Sequence, residues 1–189
     1  EAVSPATRAI LISNPNNPTG TGIPIADVER ILGAAPRAAV LIDEAYFEYG
    51  TMPGYETFIP AAVENPRVVV ARTFSKCFGM AGLRIGYAIG HKDTIAKMAA
   101  WDAIGNISVM ALQGAKAALA VPETWVKEEQ TRNAAARSFT QKWFADHGYP
   151  LWIAHWGVSA PIVPAGNWGG QGWTFWQWTS TGHVDGIAS

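Results

Sequence analysis

Three short apolar runs recur along this chain, and each ends abruptly in polar residues. Ala9 to Ser13 reads Ala-Ile-Leu-Ile-Ser and stops at Asn14-Pro15-Asn16-Asn17-Pro18-Thr19-Gly20. Ala38 to Ile42 is followed by Asp43-Glu44-Ala45-Tyr46, and Arg67 to Ala71, with Val68-Val69-Val70 inside it, by Thr73-Phe74-Ser75-Lys76. The runs are continuous rather than alternating, which is the pattern of strands in a parallel sheet covered on both faces. The stretches between them are long enough for right-handed crossovers. The spacing therefore predicts an α/β fold with a three-layer, mostly parallel sheet.

The intervening segments agree. Pro24 to Leu32 reads as a helix, with Pro24 in its first turn, Val28, Ile31 and Leu32 on one face and Gly33 at its end. Leu83 to Ile89 is a candidate fourth strand. Beyond it the chain reads as mostly helical: His91 to Ala103, Ile107 to Ala120, and Pro122 to about Asp146. In the last of these, Val126, Phe139, Trp143 and Phe144 form the expected apolar stripe. No internal repeat is present.

Composition limits the function. Hydrophobic residues make up 49% of the 189 residues and charged residues 15%, which suits a packed core and excludes a disordered chain. The net charge of −1 leaves no basic field for nucleic acid or an anionic membrane. No apolar run approaches the roughly 18 residues of a membrane span. The single cysteine, Cys77, cannot form an internal disulfide and reads as a small buried filler; with no targeting segment, this fits the reducing cytoplasm. The chain opens at Glu1, already close to a strand, as an excised piece of a longer protein would.

Three predicted strands end in polar groups at their carboxyl ends: Asn17, Asp43, and Thr73 with Lys76. In open parallel sheets that edge binds ligands. The groups match what pyridoxal phosphate requires. Its aldehyde needs a lysine amine, its ring nitrogen a carboxylate, its phenolic oxygen hydrogen-bond donors, and its phosphate backbone N–H groups and an arginine. Read singly, each residue has a plainer explanation. Asn17 could shape a turn, Lys76 and Arg84 could be solvated, and Tyr46 could be a half-buried packing residue. Asp43-Glu44 after an apolar strand also matches the magnesium-binding strand end of P-loop ATPases, but the chain contains no Gly-Lys pair for the phosphate loop.

Taken in order, Asn16-Asn17-Pro18-Thr19-Gly20, Asp43-Glu44-Ala45-Tyr46, Thr73-Phe74-Ser75-Lys76 and Gly79-Met80-Ala81-Gly82-Leu83-Arg84-Ile85-Gly86 resemble fold-type I aminotransferases of class I/II. The likeness is greatest to the histidinol-phosphate aminotransferase branch and spans residues 1 to about 147. It implies the core of a pyridoxal-phosphate-binding large domain and transfer of an amino group between an amino acid and a 2-oxo acid. The donor would be histidinol phosphate or an aromatic amino acid. By the same resemblance, Asn17 and Tyr46 would donate to the phenolic oxygen, Asp43 would pair with the ring nitrogen, and Thr73 and Arg84 would contact the phosphate. Lys76 would hold the cofactor as a Schiff base and then move the proton. No metal ligand is assigned. Family members act as homodimers, so a homodimer is also implied.

Two departures qualify this. The family's phosphate-holding turn and ring-stacking aromatic come from a segment earlier than Glu1, and no arginine follows Arg137 to clamp a substrate carboxylate. Composition also changes near Tyr149-Pro150. Residues 151–189 hold six of the nine tryptophans, no lysine, no arginine and one carboxylate, Asp185. Leu151 to Trp156, the Pro161 and Pro164 spacing, Trp173 to Ser180 and Val184 to Ile187 resemble the last strands of a glycoside hydrolase family 25 muramidase. That family's acid pair is absent. The expected division is thus 1–149 and 150–189. It leaves two alternatives to an active aminotransferase: an inactive hybrid that keeps half of a cofactor site, and a cell-wall carbohydrate-binding or muramidase-related protein acting through the tail. A chimera, a misassembled gene and a natural fusion would all read this way.

Overall fold

The computed structural model describes residues 3–101, 107–154 and 159–177. The chain divides into two compact units, residues 1–126 and 127–189.

The first unit is built on a four-stranded sheet. Strands β1 (Ala9–Ser13), β2 (Ala39–Asp43) and β3 (Val68–Thr73) lie side by side in chain order and run parallel. Ser13 pairs with Asp43, and Asp43 with Ala71, so the three carboxyl ends share one edge. Helix α1 (Ile25–Ala34) connects β1 to β2, and α2 (Ile59–Glu64) precedes β3. Val28 and Leu32 of α1 and Ala62 of α2, with Phe58 just before it, pack on Val40, Ile42, Val68 and Val70 to form the main core. These side chains are all under a tenth exposed. Each full burial of such a side chain contributes on the order of 2 kcal/mol.

The opposite face differs from expectation. Leu11 is 74% exposed there and Leu41 only half-buried, so the described helices cover one face more completely than the other. A continuous apolar run does not reveal this, because both faces of each strand are apolar whether or not a helix lies on them.

The fourth strand also differs. β4 is Gly86–Gly90 rather than Leu83–Ile89, and it runs antiparallel to β3, with Thr73 opposite Gly86 and Val69 opposite Gly90. A parallel return needs a crossover, usually a helix. Here the short link holds only a 3-10 turn at Ala81–Leu83, followed by Arg84 in a left-handed conformation (φ 51°). Gly86 permits the close approach: a Cβ there would lie 2.6 Å from the Arg72 carbonyl oxygen.

Helices α3 (Lys92–Ala100), α4 (Val109–Leu119) and the start of α5 (Glu123–Asp146) complete this unit. Ser108 caps α4 by accepting from Ala111 N at 3.1 Å. Ala111, Ala115 and Ala118 of α4 bury against Phe74 and Ile85, making a second, smaller core beside the strand ends. Residues 102 and 103, expected in the first of these helices, lie outside the described residues.

The second unit contains most of α5. The apolar stripe expected there is not buried: Phe139 is 70% exposed and Trp143 41%. Trp143, Phe144, His147 and Tyr149 instead group at the carboxyl end of the helix, with Trp143 stacked on His147 at 4.0 Å. Beyond it, β5 (Trp152–Ala154) and β6 (Phe175–Gln177) form a parallel pair. Between them lies α6 (Pro164–Gly169), whose residues 165–168 have left-handed backbone angles. Trp168 is buried and donates from Nε1 to the Tyr149 carbonyl at 2.7 Å. The compositional junction at 149–150 lies within this unit. Val184 to Ile187, and Asp185 with them, lie outside the described residues. No helix among the described residues is long and apolar enough to cross a membrane.

Candidate active site

The carboxyl ends of β1, β2 and β3 open onto a cavity of about 700 Å³ in the first unit. Leu11, Leu41 and Ala71 form its apolar floor. Asp43, Thr73, Ser75, Lys76 and Arg84 line it with polar groups, joined by Ser13 and Asn16 from the β1 side. Strand alternation explains the arrangement: Leu41 and Asp43, like Ala71 and Thr73, lie two residues apart and so on one face.

Lys76 sits in a turn held from both sides. Thr73 Oγ1 accepts from Ser75 N at 3.0 Å and bends the chain as β3 ends. Phe74 and Cys77 are buried, and Gly79 N donates to the Lys76 carbonyl at 3.0 Å. With its neighbours anchored inward, the Lys76 side chain projects outward, where its Nζ lies 5.0 Å from the centre of the Tyr46 ring. The Asp43 carboxylate accepts from Ala45 N at 2.9 Å through Oδ1, which turns the chain after β2 and leaves Oδ2 without that contact.

Asn17 is not at the end of a strand. β1 stops at Ser13, and Asn17 stands four residues into the following loop, where Asn16 rather than Asn17 lines the cavity. Asn17 reaches the same region through Tyr46: its Nδ2 donates to the Tyr46 hydroxyl at 3.2 Å. Arg84 is exposed, and its Nη1 donates to the Ala81 carbonyl at 2.8 Å. The structure therefore brings Asp43, Thr73, Lys76 and Arg84 to one cavity, and links Asn17 and Tyr46 to each other beside it.

Three polar residues to which the sequence assigns no part in the cavity support this site. Asn14 is fully buried and braces the loop that carries Asn17. Its Oδ1 accepts from Ile23 N at 2.8 Å and its Nδ2 donates to Ile23 O at 3.2 Å. Its backbone N donates to the Asp43 carbonyl at 2.9 Å, and its own carbonyl accepts from Tyr55 Oη at 2.7 Å. Burial pushes the Tyr55 phenol well above its ordinary range, which keeps that donor protonated. Glu44 and Arg72 form the second support, a buried ion pair at 2.7 Å, with Glu48 beside Arg72 at 3.6 Å. Burial, the largest cause, raises the Glu48 carboxyl above its usual value; a backbone hydrogen bond and the Arg72 charge oppose the rise, and the Glu44 charge adds to it. Alternation could have flagged Glu44 and Arg72, since each directly adjoins a residue assigned to the cavity.

A model of the aminotransferase class I and II family matches residues 1–164. The chain belongs to the class I and II aminotransferases. Relatives within the family agree. Over 147 residues the chain is 36% identical to a histidinol-phosphate aminotransferase of Paracoccus denitrificans, covering 78% of this chain and 39% of that protein. It is 41% identical over 136 residues to histidinol-phosphate aminotransferase 2 of Nitrosospira multiformis, covering 71% and 34%. A crystal structure of the Sinorhizobium meliloti histidinol-phosphate aminotransferase in complex with pyridoxal-5'-phosphate superposes with a TM-score of 0.64 at 34% identity, over 76% of this chain and 39% of that one. The mostly parallel α/β architecture is thus that of the aminotransferases. The chain spans about two fifths or less of the length of these relatives.

Proposed function

We propose that this chain carries part of the pyridoxal-phosphate site of an aminotransferase, and that Lys76 is its catalytic residue. One observation carries the reading: an outward lysine, a strand-end carboxylate, a threonine and an arginine line a single cavity. The donor set fits the cofactor. Asp43 would hold a proton on the ring nitrogen, Asn17 and Tyr46 would donate toward the phenolic oxygen, and Thr73 and Arg84 would bind phosphate oxygens. When bound, pyridoxal phosphate supplies an electron-accepting ring for the substrate carbon. The Lys76 amine would provide the covalent attachment and shuttle a proton at its Nζ.

The substrates under this reading are a small amino acid and a 2-oxo acid, with histidinol phosphate favoured as amino donor by the names of the relatives. A homodimer and a cytoplasmic setting belong to the same proposal. Residues 150–189 are proposed as a segment of separate, muramidase-like origin, on the likeness of Leu151 to Trp156 and Trp173 to Ser180 and the change of composition near Tyr149-Pro150; the aminotransferase match itself runs on to residue 164.

The test is a visible absorption spectrum with added pyridoxal phosphate, followed by borohydride reduction and peptide mapping. The expected result is a band in the parent chain, trapped on Lys76 and absent from Lys76→Ala. A parent chain without the band at saturating cofactor overturns the reading.

A further inference from the structure

The cavity side of the sheet holds the groups assigned to the cofactor, yet the strongest polar network lies on the other side. In β2, Val40 and Ile42 point into the main core while Asp43 points to the cavity. Glu44, the next residue, returns to the core side and is completely buried. Arg72 stands between Ala71 and Thr73 in β3 and borders the cavity there, but its side chain is only 10% exposed and turns to Glu44. Its Nε and Nη2 both donate to Glu44 Oε2, at 2.9 and 2.7 Å. Thr57 Oγ1 donates to the same Oε2 at 2.8 Å and accepts from Arg72 Nη2 at 2.9 Å. Phe58 N donates to Glu44 Oε1 at 2.7 Å, and the Arg72 guanidinium lies 3.9 Å from the centre of the Phe47 ring.

Burying such a pair is a poor route to stability, because taking both charges out of water offsets most of their attraction. A network of this kind does fix geometry. Resting on the assignment of Asp43, Thr73 and Lys76 to the cofactor, we infer that Glu44 and Arg72 are positioning residues: a clamp behind the sheet that sets the spacing between Asp43 and the Thr73–Lys76 turn. Every bond in the clamp joins two of three pieces: the tip of β2, the tip of β3 and the segment before α2. Each of its two members is a sequence neighbour of a group that would touch the cofactor. Loosening it would let the two strand tips drift, and a ring held at one end by a carboxylate and at the other by an amine tolerates little drift.

The experiment uses the whole 189-residue chain. Glu44→Gln combined with Arg72→Met removes both charges and the cross-strand fork while keeping an acceptor for Phe58 N. The measurements are thermal melting without cofactor, the affinity for pyridoxal phosphate by absorbance titration, and the pH midpoint of the bound spectrum. The expected result is a melting temperature near that of the parent, with affinity about tenfold or more weaker and a displaced pH midpoint. Parent-like affinity and midpoint overturn the inference. If the double variant melts much lower, Arg72→Lys, which keeps the charge and loses the fork, takes its place under the same two criteria. If Arg72→Lys also fails to fold, the pair is a stability element and the inference falls. A parent chain that shows no cofactor band removes the assignment beneath it, and this proposal too. A parent that binds beside variants that bind equally well removes this proposal only.

Discussion

Asn17 and Tyr46, far apart in sequence, are joined by a hydrogen bond of 3.2 Å from the asparagine amide to the phenol oxygen. The contact connects the loop after β1 to the turn after β2, beside the amine of Lys76. Because the amide donates to it, the phenol proton is left to point elsewhere, toward an acceptor such as a cofactor oxygen. Tyr46→Phe should therefore weaken pyridoxal-phosphate binding about three- to tenfold, the loss expected for one hydrogen bond, while stability changes by no more than about 1 kcal/mol. Absorbance titration and urea unfolding measure the two effects.

Lys76 is exposed and its backbone is held by neighbours that do not depend on its side chain. Lys76→Ala should leave the unfolding free energy within about 0.5 kcal/mol of the parent, as for other surface substitutions. The borohydride-trapped adduct should vanish with the same change. A large stability loss would mean that the side chain packs rather than reacts.

Gly86 and Gly33 should respond to alanine in opposite directions. At Gly86 the new Cβ would lie 2.6 Å from the Arg72 carbonyl, so β4 must move away from β3, at a cost of about 2 kcal/mol or more. At Gly33, inside α1, nothing lies within 4 Å of the new atom, and alanine should stabilise by about 0.5–1 kcal/mol. Denaturant midpoints of the two variants test the difference in sign.

Glu48 sets a pH dependence. Its carboxyl titrates above the ordinary 4.5 in the folded chain, chiefly because it is buried. The folded state therefore holds that proton more tightly than the unfolded one. The contribution to stability is complete below about pH 4.5 and is lost as pH rises through the folded value. Glu48→Gln, neutral throughout, should match the parent near pH 4 and exceed it at pH 7 in chemical denaturation. A variant less stable at pH 7 would show that the Arg72 contact outweighs desolvation.

Much of the cavity lining is legible in the sequence. Asp43, Thr73 and Lys76 follow apolar runs, and a parallel sheet necessarily brings the carboxyl ends of its strands to one edge. Asn17 was harder to place, because a loop with two prolines can carry a residue several positions past the strand that precedes it; Asn16 reaches the cavity wall instead. The fourth strand begins three residues later than its apolar pattern predicts. Leu83 and Ile85 look strand-like, but a 3-10 turn and a left-handed Arg84 occupy that stretch. The apolar residues of α5 suggest a buried stripe, yet Phe139 is exposed and Trp143 and Phe144 cluster near Tyr149.

By itself, the sequence determined the fold class, the order of the strands' polar ends and the chemical types gathered there. These depend on local patterns: apolar runs, turn residues and spacing along one chain. Tertiary structure alone decided that Glu44 turns inward to meet Arg72 while Asp43 turns outward, that β4 reverses direction, and that Asn14 is buried as a brace. Such choices depend on which face of a strand a helix covers and on which distant donor meets which acceptor. Two adjacent carboxylates look alike in a sequence; only packing on one side and open space on the other makes one a strut and leaves the other facing the cavity.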